Sequence, residues 1–189
     1  MRDKNDSSRY EIRLSGSGGQ GLVLAGVIMA EALGVYEGKN VSQTQSYGPE
    51  ARGGASRSDI IISDGEIYYP KATELDILLC LTQESCDEYF HYLKEEGILI
   101  VDSDRVRQVP TNKAYVLPFI RIASEKVGTP VVANVVSVAA IVEISGICSR
   151  ESLEKAVLGR APKGTEDKNR LACEMGFEAG HNAKRDRRG

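Results

Sequence analysis

The sequence predicts an α/β domain: a three-layer α/β/α sandwich on a mostly parallel, mixed sheet with one β-hairpin and helices on both faces. Three observations lead there. Leu75 to Leu81 and Ile98 to Asp102 are short, nearly continuous apolar runs of the kind found in strands covered on both faces. Segments with apolar residues at helical spacing alternate with these runs. Between two further extended stretches stands Asp64-Gly65-Glu66, the chemistry of a tight hairpin turn. The 189 residues suit one domain, 1–189, and no internal repeat or dividing linker breaks them.

Along the chain, Tyr10 to Leu14 alternates apolar and polar residues and reads as a strand. A glycine cluster follows, then a helix over Leu22 to Leu33 that Gly34 and Gly38 close. Asn40 to Gln45 is a second extended segment, leading into the loop Ser46 to Ala55. Ser58 to Ser63 and Ile67 to Tyr69 are the predicted arms of the hairpin. Leu75 to Leu81, a helix over Gln83 to Glu96 ended by Gly97, and Ile98 to Asp102 make a strand-helix-strand unit. A short strand at Val116 and Leu117 is stopped by Pro118. Helices are expected over Phe119 to Val127, over the buried, valine-rich Val135 to Ile144, and from Ser149 with its acidic first turn. A last one, over Lys163 to Gly180, precedes the basic tail HNAKRDRRG.

Composition removes several function classes. With 41% apolar and 27% charged residues the chain is neither disordered nor a disulfide scaffold. A formal charge of -3 gives no sign of a nucleic-acid partner. The longest apolar stretches are too short, or too interrupted by Asn134, Ser137 and Glu143, to span a bilayer. The first nine residues have no apolar core for a secretory signal, so a cytoplasmic chain with reduced thiols is expected. Cys80, Cys86, Cys148 and Cys173 form no C-x-x-C pair, and His91 and His181 stand alone. No metal site and no catalytic triad is therefore expected from this chain.

Two loops have the residues for recognition. Gly16-Ser17-Gly18-Gly19-Gln20-Gly21 satisfies G-x-G-x-x-G between a predicted strand and a predicted helix, the context of a dinucleotide fingerprint. Glycines there let backbone N–H groups approach a phosphate at the positive end of a helix; a tight turn that packs against another subunit is the plainer alternative. A dinucleotide site also wants an acidic residue about 20 positions on, at the end of the second strand. Gln43, Thr44 and Gln45 stand there, and Glu37 belongs to the turn before it, which argues against independent NAD or FAD binding. The second loop, Ser46-Tyr47-Gly48-Pro49-Glu50-Ala51-Arg52-Gly53-Gly54, combines permissive backbone with a phenol, a carboxylate and a guanidinium. Arg52 suits either a ligand's phosphate or carboxylate, or Glu50 as a structural partner. Both loops are expected at the carboxyl edge of the sheet.

These residues resemble the gamma subunit of 2-oxoacid:ferredoxin oxidoreductases, especially the 2-oxoglutarate type. The likeness rests on GSGGQG at Gly16 to Gly21, SYGPEARGG at Ser46 to Gly54, IYYPKATELDILLCLTQES at Ile67 to Ser85 and GILIVDS at Gly97 to Ser103, and covers roughly positions 10 to 145. Tyr47-Gly48-Pro49-Glu50-Ala51-Arg52 looks more like the 2-oxoglutarate or branched-chain version than the pyruvate or indolepyruvate one. The resemblance implies a complex that oxidatively decarboxylates a 2-oxoacid to an acyl-CoA, with coenzyme A as co-substrate, and passes electrons through iron-sulfur clusters to ferredoxin. It further implies thiamine diphosphate and Mg held by alpha and beta subunits, and clusters in beta or a small delta subunit. This chain would then bind no cofactor alone and pack beside the thiamine and coenzyme A region of its partners. The cofactor-binding or interface loops would be Gly16, Ser17, Gly18, Gly19, Gln20, Gly21, Ser46, Tyr47, Gly48, Glu50, Arg52, Gly53 and Gly54. The competing readings are a self-sufficient nucleotide-binding oxidoreductase and a purely structural assembly domain.

Overall fold

The computed structural model describes residues 9–47 and 55–187, with the side chains of Tyr47 and Ala55 outside that description. Six strands form one mixed sheet: β1 (Tyr10–Ser17), β2 (Asn40–Tyr47), β3 (Ala55–Ser63), β4 (Leu75–Cys80), β5 (Leu93–Asp102) and β6 (Tyr115–Leu117), in the spatial order β2-β3-β1-β4-β5-β6. β1, β4, β5 and β6 run parallel, whereas β3 lies antiparallel between β1 and β2.

The helices are α1 (Leu22–Glu31), α2 (Gln83–Tyr89), α3 (Phe119–Ile122), α4 (Ala133–Ser145), α5 (Arg150–Arg160) and α6 (Glu166–Asp186); α1 and α3 each continue into a wider π turn. They are shared unequally between the faces. Ile12, Leu14, Ile60, Ile77, Leu79 and Ile100 point to one side and join the apolar faces of α1, α4, α5 and α6 in the main core. Leu78, Cys80, Leu99 and Val101 point to the other side, where α2 supplies Cys86 and Tyr89. Each fully buried Leu or Ile contributes about 1.5–3 kcal/mol, so the first side carries most of the stability.

Valine would ordinarily favour a strand at α4, but this helix is buried on nearly all sides and packs against α6. Gly176 and Gly180 make the close approach possible: a Cβ on Gly180 would lie 3.0 Å from Ala140 O, and one on Gly176 would overlap Val136 O.

Three expected elements differ. The hairpin exists, but its arms are β2 and β3, joined through residues 48–54. Ile67 to Tyr69 forms no strand; Tyr68 and Tyr69 are exposed and the backbone is held by side chains instead. Arg9 donates to the carbonyls of Tyr69 (2.8 Å) and Lys71 (2.7 Å), and Thr44 donates to that of Pro70. The helix expected over Gln83 to Glu96 ends at Tyr89, and Gly97 lies inside β5 rather than closing a helix. A Cβ there would stand 2.6 Å from Leu93 Cδ1 beside an irregularity in the β4–β5 pairing, so the glycine serves a bulge. The last helix runs on through the basic tail to Asp186; Lys184 and Arg185 sit in its final turn, where they complement the helix dipole.

Candidate functional site

The first loop is built by two side-chain amides. β1 ends at Ser17, Gly18 and Gly19 turn the chain, and Gly21 caps α1 in the left-handed region, at φ 72°. Gln20 folds back so that its Oε1 accepts from Ser17 N at 2.7 Å, over the spot a Cβ on Gly16 would fill. Asn134, from the start of α4, donates through Nδ2 to Gly21 O at 3.1 Å and stands 2.6 Å from where a Gly21 Cβ would be. Gly18 and Gly19 have open space around them and are exposed. The loop is thus braced beneath and offers exposed backbone above.

The helix it feeds lies close on the sheet. A Cβ on Gly26 would overlap Ser58 of β3, whose Oγ accepts from Gln43 Nε2 at 2.8 Å. The fingerprint's role of bringing helix and strand together therefore belongs here to Gly26.

The second loop opens at the same edge. Tyr47 pairs with Ser56 across β2 and β3, and Ser56 in turn pairs with Gly16 across β3 and β1. Ser17 is opposite Ala55. The end of β2, the start of β3 and the GSGGQG loop are thus consecutive along one edge, as expected. Ser46 is exposed there, whereas Gly48, Glu50, Arg52, Gly53 and Gly54 lie outside the described residues.

The dinucleotide reading meets a topological obstacle. Because β3 is inserted, β2 is not the neighbour of β1, and Gln43, Thr44 and Gln45 are paired to Ile60, Asp59 and Ser58. Glu37 accepts from Ser149 N and Oγ at 2.9 Å each, which fixes the start of α5. The Ser149 backbone N–H, then the Ser152 and Ser149 hydroxyls, hold its carboxyl down at about 2.

Several charged groups escaped the sequence reading. Arg13 and Asp59 face each other across β1 and β3, joined by hydrogen bonds of 2.7 and 2.8 Å, on the side of the sheet that carries α2. Burial opposes the Arg13 charge, but the bonds to Asp59 outweigh it and raise the pKa. Asp102, at the end of β5, accepts from the backbone N–H of Asp104, Arg105 and Ile120. Burial still pushes its carboxyl upward, and the group organises the β5 and β6 loops. Isolated charges inside apolar strands, such as Arg13 between Ile12 and Leu14, were the available signal. Among the described residues no group of three His, Cys, Asp or Glu is placed to hold a metal ion, and no helix is long and apolar enough to cross a membrane.

The family model for pyruvate ferredoxin/flavodoxin oxidoreductase matches residues 11–179. The chain is 50% identical to the 2-oxoglutarate synthase subunit KorC of Methanocaldococcus jannaschii, over 94% of this chain and 97% of that one. It is 30% identical to the pyruvate synthase subunit PorC of Methanothermobacter marburgensis, over 89% of this chain and 96% of that one. The solved gamma subunit of a keto/oxoacid ferredoxin oxidoreductase from Geobacter sulfurreducens superposes with a TM-score of 0.86 at 51% identity, covering 94% of this chain and 99% of that one. Agreement over nearly the whole of both chains, in sequence and in fold, makes this protein a member of the pyruvate ferredoxin/flavodoxin oxidoreductase family, among its small gamma-type chains.

Proposed function

We propose that the chain is the gamma subunit of a 2-oxoglutarate:ferredoxin oxidoreductase. The complex would convert 2-oxoglutarate and coenzyme A to an acyl-CoA and CO2 and pass two electrons to ferredoxin. The observation that carries the substrate is the gap between 50% identity to a 2-oxoglutarate synthase subunit and 30% to a pyruvate synthase subunit, at similar coverage. The site supports a non-autonomous role. The ends of β2 and β3 and the GSGGQG loop share one edge, where Gly18 and Gly19 leave backbone exposed, an arrangement for contacting groups supplied from outside. Alpha and beta subunits, with delta where present, would hold thiamine diphosphate, Mg and the clusters, and Gly16 to Gly21 with Ser46 to Gly54 would face the thiamine and coenzyme A region.

The test is co-expression of this chain with the thiamine-binding subunits of its complex. We expect viologen reduction that depends on coenzyme A and on 2-oxoglutarate, with pyruvate at least about tenfold poorer in kcat/KM, and no turnover by the chain alone. Arg52→Ala should leave the isolated chain folded and weaken co-purification or turnover. A complex that prefers pyruvate, or keeps full activity without this chain, refutes the reading.

A further inference from the structure

On the α2 side of the sheet, beside the end of that helix, the polar faces of β1, β2 and β3 line a cavity of about 490 Å³. Among the described residues its cations are Arg13, Arg57 and Lys71 and its one carboxylate is Asp59, and Thr44 and Ser46 add hydroxyls. The volume falls within the roughly 300–1,000 Å³ usual for small-molecule sites.

Charge in this cavity is out of balance. Asp59 serves two guanidiniums at once, Arg13 at 2.7 Å and Arg57 at 3.9 Å. Arg13 is 2% exposed; its Nε and Nη2 are taken by Asp59 and by Ala72 O, while its Nη1 is buried with no hydrogen-bond partner among the described residues. An unpartnered buried donor costs about 1–3 kcal/mol, more on a charged group, so natural sequences rarely leave one without a reason. Both guanidiniums also lie over the Tyr89 ring, at 4.9 and 5.5 Å, which fixes them in place. Glu88 meets the Tyr89 hydroxyl, while Glu11 is taken by Arg9 and by the N–H groups of Thr73 and Glu74. Neither carboxylate restores the balance from the cavity wall. Arg57 is one third exposed, and Lys71 is exposed without an ion pair among the described residues.

We propose that this cavity binds a small-molecule anion through carboxylate or phosphate oxygens. Arg57 and Lys71 make the direct contacts, the Ser46 hydroxyl donates at the rim, and Arg13 forms a positive floor that Asp59 only partly neutralises. The guanidinium of Arg57, planar and pre-positioned, suits two-pronged recognition of either oxyanion.

The full-length chain, titrated calorimetrically with inorganic phosphate, pyrophosphate and citrate in turn, decides the matter, with ionic strength held constant by sodium chloride so that general screening is cancelled. We expect saturable one-to-one binding of at least one probe. Binding of phosphate or pyrophosphate alone assigns a phosphate ligand; binding of citrate alone assigns a carboxylate. Arg57→Gln should weaken the affinity about tenfold or more and Lys71→Gln about threefold or more. Lys71 is exposed, so its variant keeps the fold even if Arg57→Gln does not. No saturable heat up to about 10 mM of any probe, or unchanged affinity in the folded variants, overturns the proposal. The measurement needs no partner subunit, so its outcome is separate from that of the complex assay.

Discussion

Gly21→Ala tests whether the first loop is held by the geometry seen here. Two penalties follow from the structure. Gly21 has φ 72°, where a residue with a Cβ loses about 1–2 kcal/mol. The new Cβ would also stand 2.6 Å from Asn134 Nδ2, displacing an amide that is 4% exposed and breaking its bond to Gly21 O. Stranding that buried group costs about 1–3 kcal/mol, giving about 2–5 kcal/mol in all. Helix propensity adds little, because Gly21 precedes the first turn of α1. The assay is urea unfolding of the isolated chain, with Asn134→Ala and the double variant completing a cycle. Measured from Asn134→Ala, the Gly21→Ala step should show only the dihedral part, so the coupling between the sites should reach about 1 kcal/mol or more. A loss under about 0.5 kcal/mol in Gly21→Ala, or strictly additive variants, would refute the bracing of the loop by Asn134.

Two further predictions concern the frame. Glu37 has its carboxyl held at about 2 rather than 4.5, so its contribution is complete above 4.5 and fades as pH falls toward 2. Because Glu37 is exposed, the amount should stay under about 1 kcal/mol; Glu37→Gln should lower the urea midpoint near neutrality, with the gap to wild type narrowing in acid. Gly176→Ala and Gly159→Ala should act in opposite directions. The first forces a Cβ against Val136 O and to 2.6 Å from Ala139 Cβ, for a net loss of about 2 kcal/mol. The second finds only Glu31 Oε1 at 3.8 Å and should gain about 0.5–1 kcal/mol from better helix propensity, as paired unfolding curves will read.

Elements whose signal is local and whose burial is symmetrical were legible. β1 announces itself by alternation and β4 and the buried half of β5 as apolar runs, and α4 reads as a helix despite its valines because its length exceeds that of a strand. The misplaced hairpin shows where local chemistry loses. Asp64-Gly65 does turn the chain, but the carbonyls of Tyr69, Pro70 and Lys71 are satisfied by Arg9 and Thr44, partners distant in sequence. No turn rule reports such a competitor. The glycine loop was legible because its spacing encodes its geometry, whereas Arg13, Asp59 and Arg57 come from two strands whose antiparallel register alone brings them together.

That register also explains why a complete fingerprint need not make a dinucleotide site. In a doubly wound nucleotide fold the second strand lies directly beside the first, and its terminal carboxylate reaches the ribose. Here β3 occupies that place and β2 is one strand further out, a lateral displacement of roughly 10 Å from β1 at the usual spacing of strands. Restoring the missing acid should therefore not restore the function. Gln45→Asp places a carboxylate at the end of β2, about 20 positions beyond the loop as the fingerprint asks, yet on a strand that starts too far away. We expect neither NAD nor FAD to show saturable binding to wild type or to this variant in calorimetric titration. If Gln45→Asp acquired micromolar affinity for NAD, the decisive element would be the absent acid rather than the inserted strand, and the glycine loop would have to be counted a nucleotide site awaiting one residue.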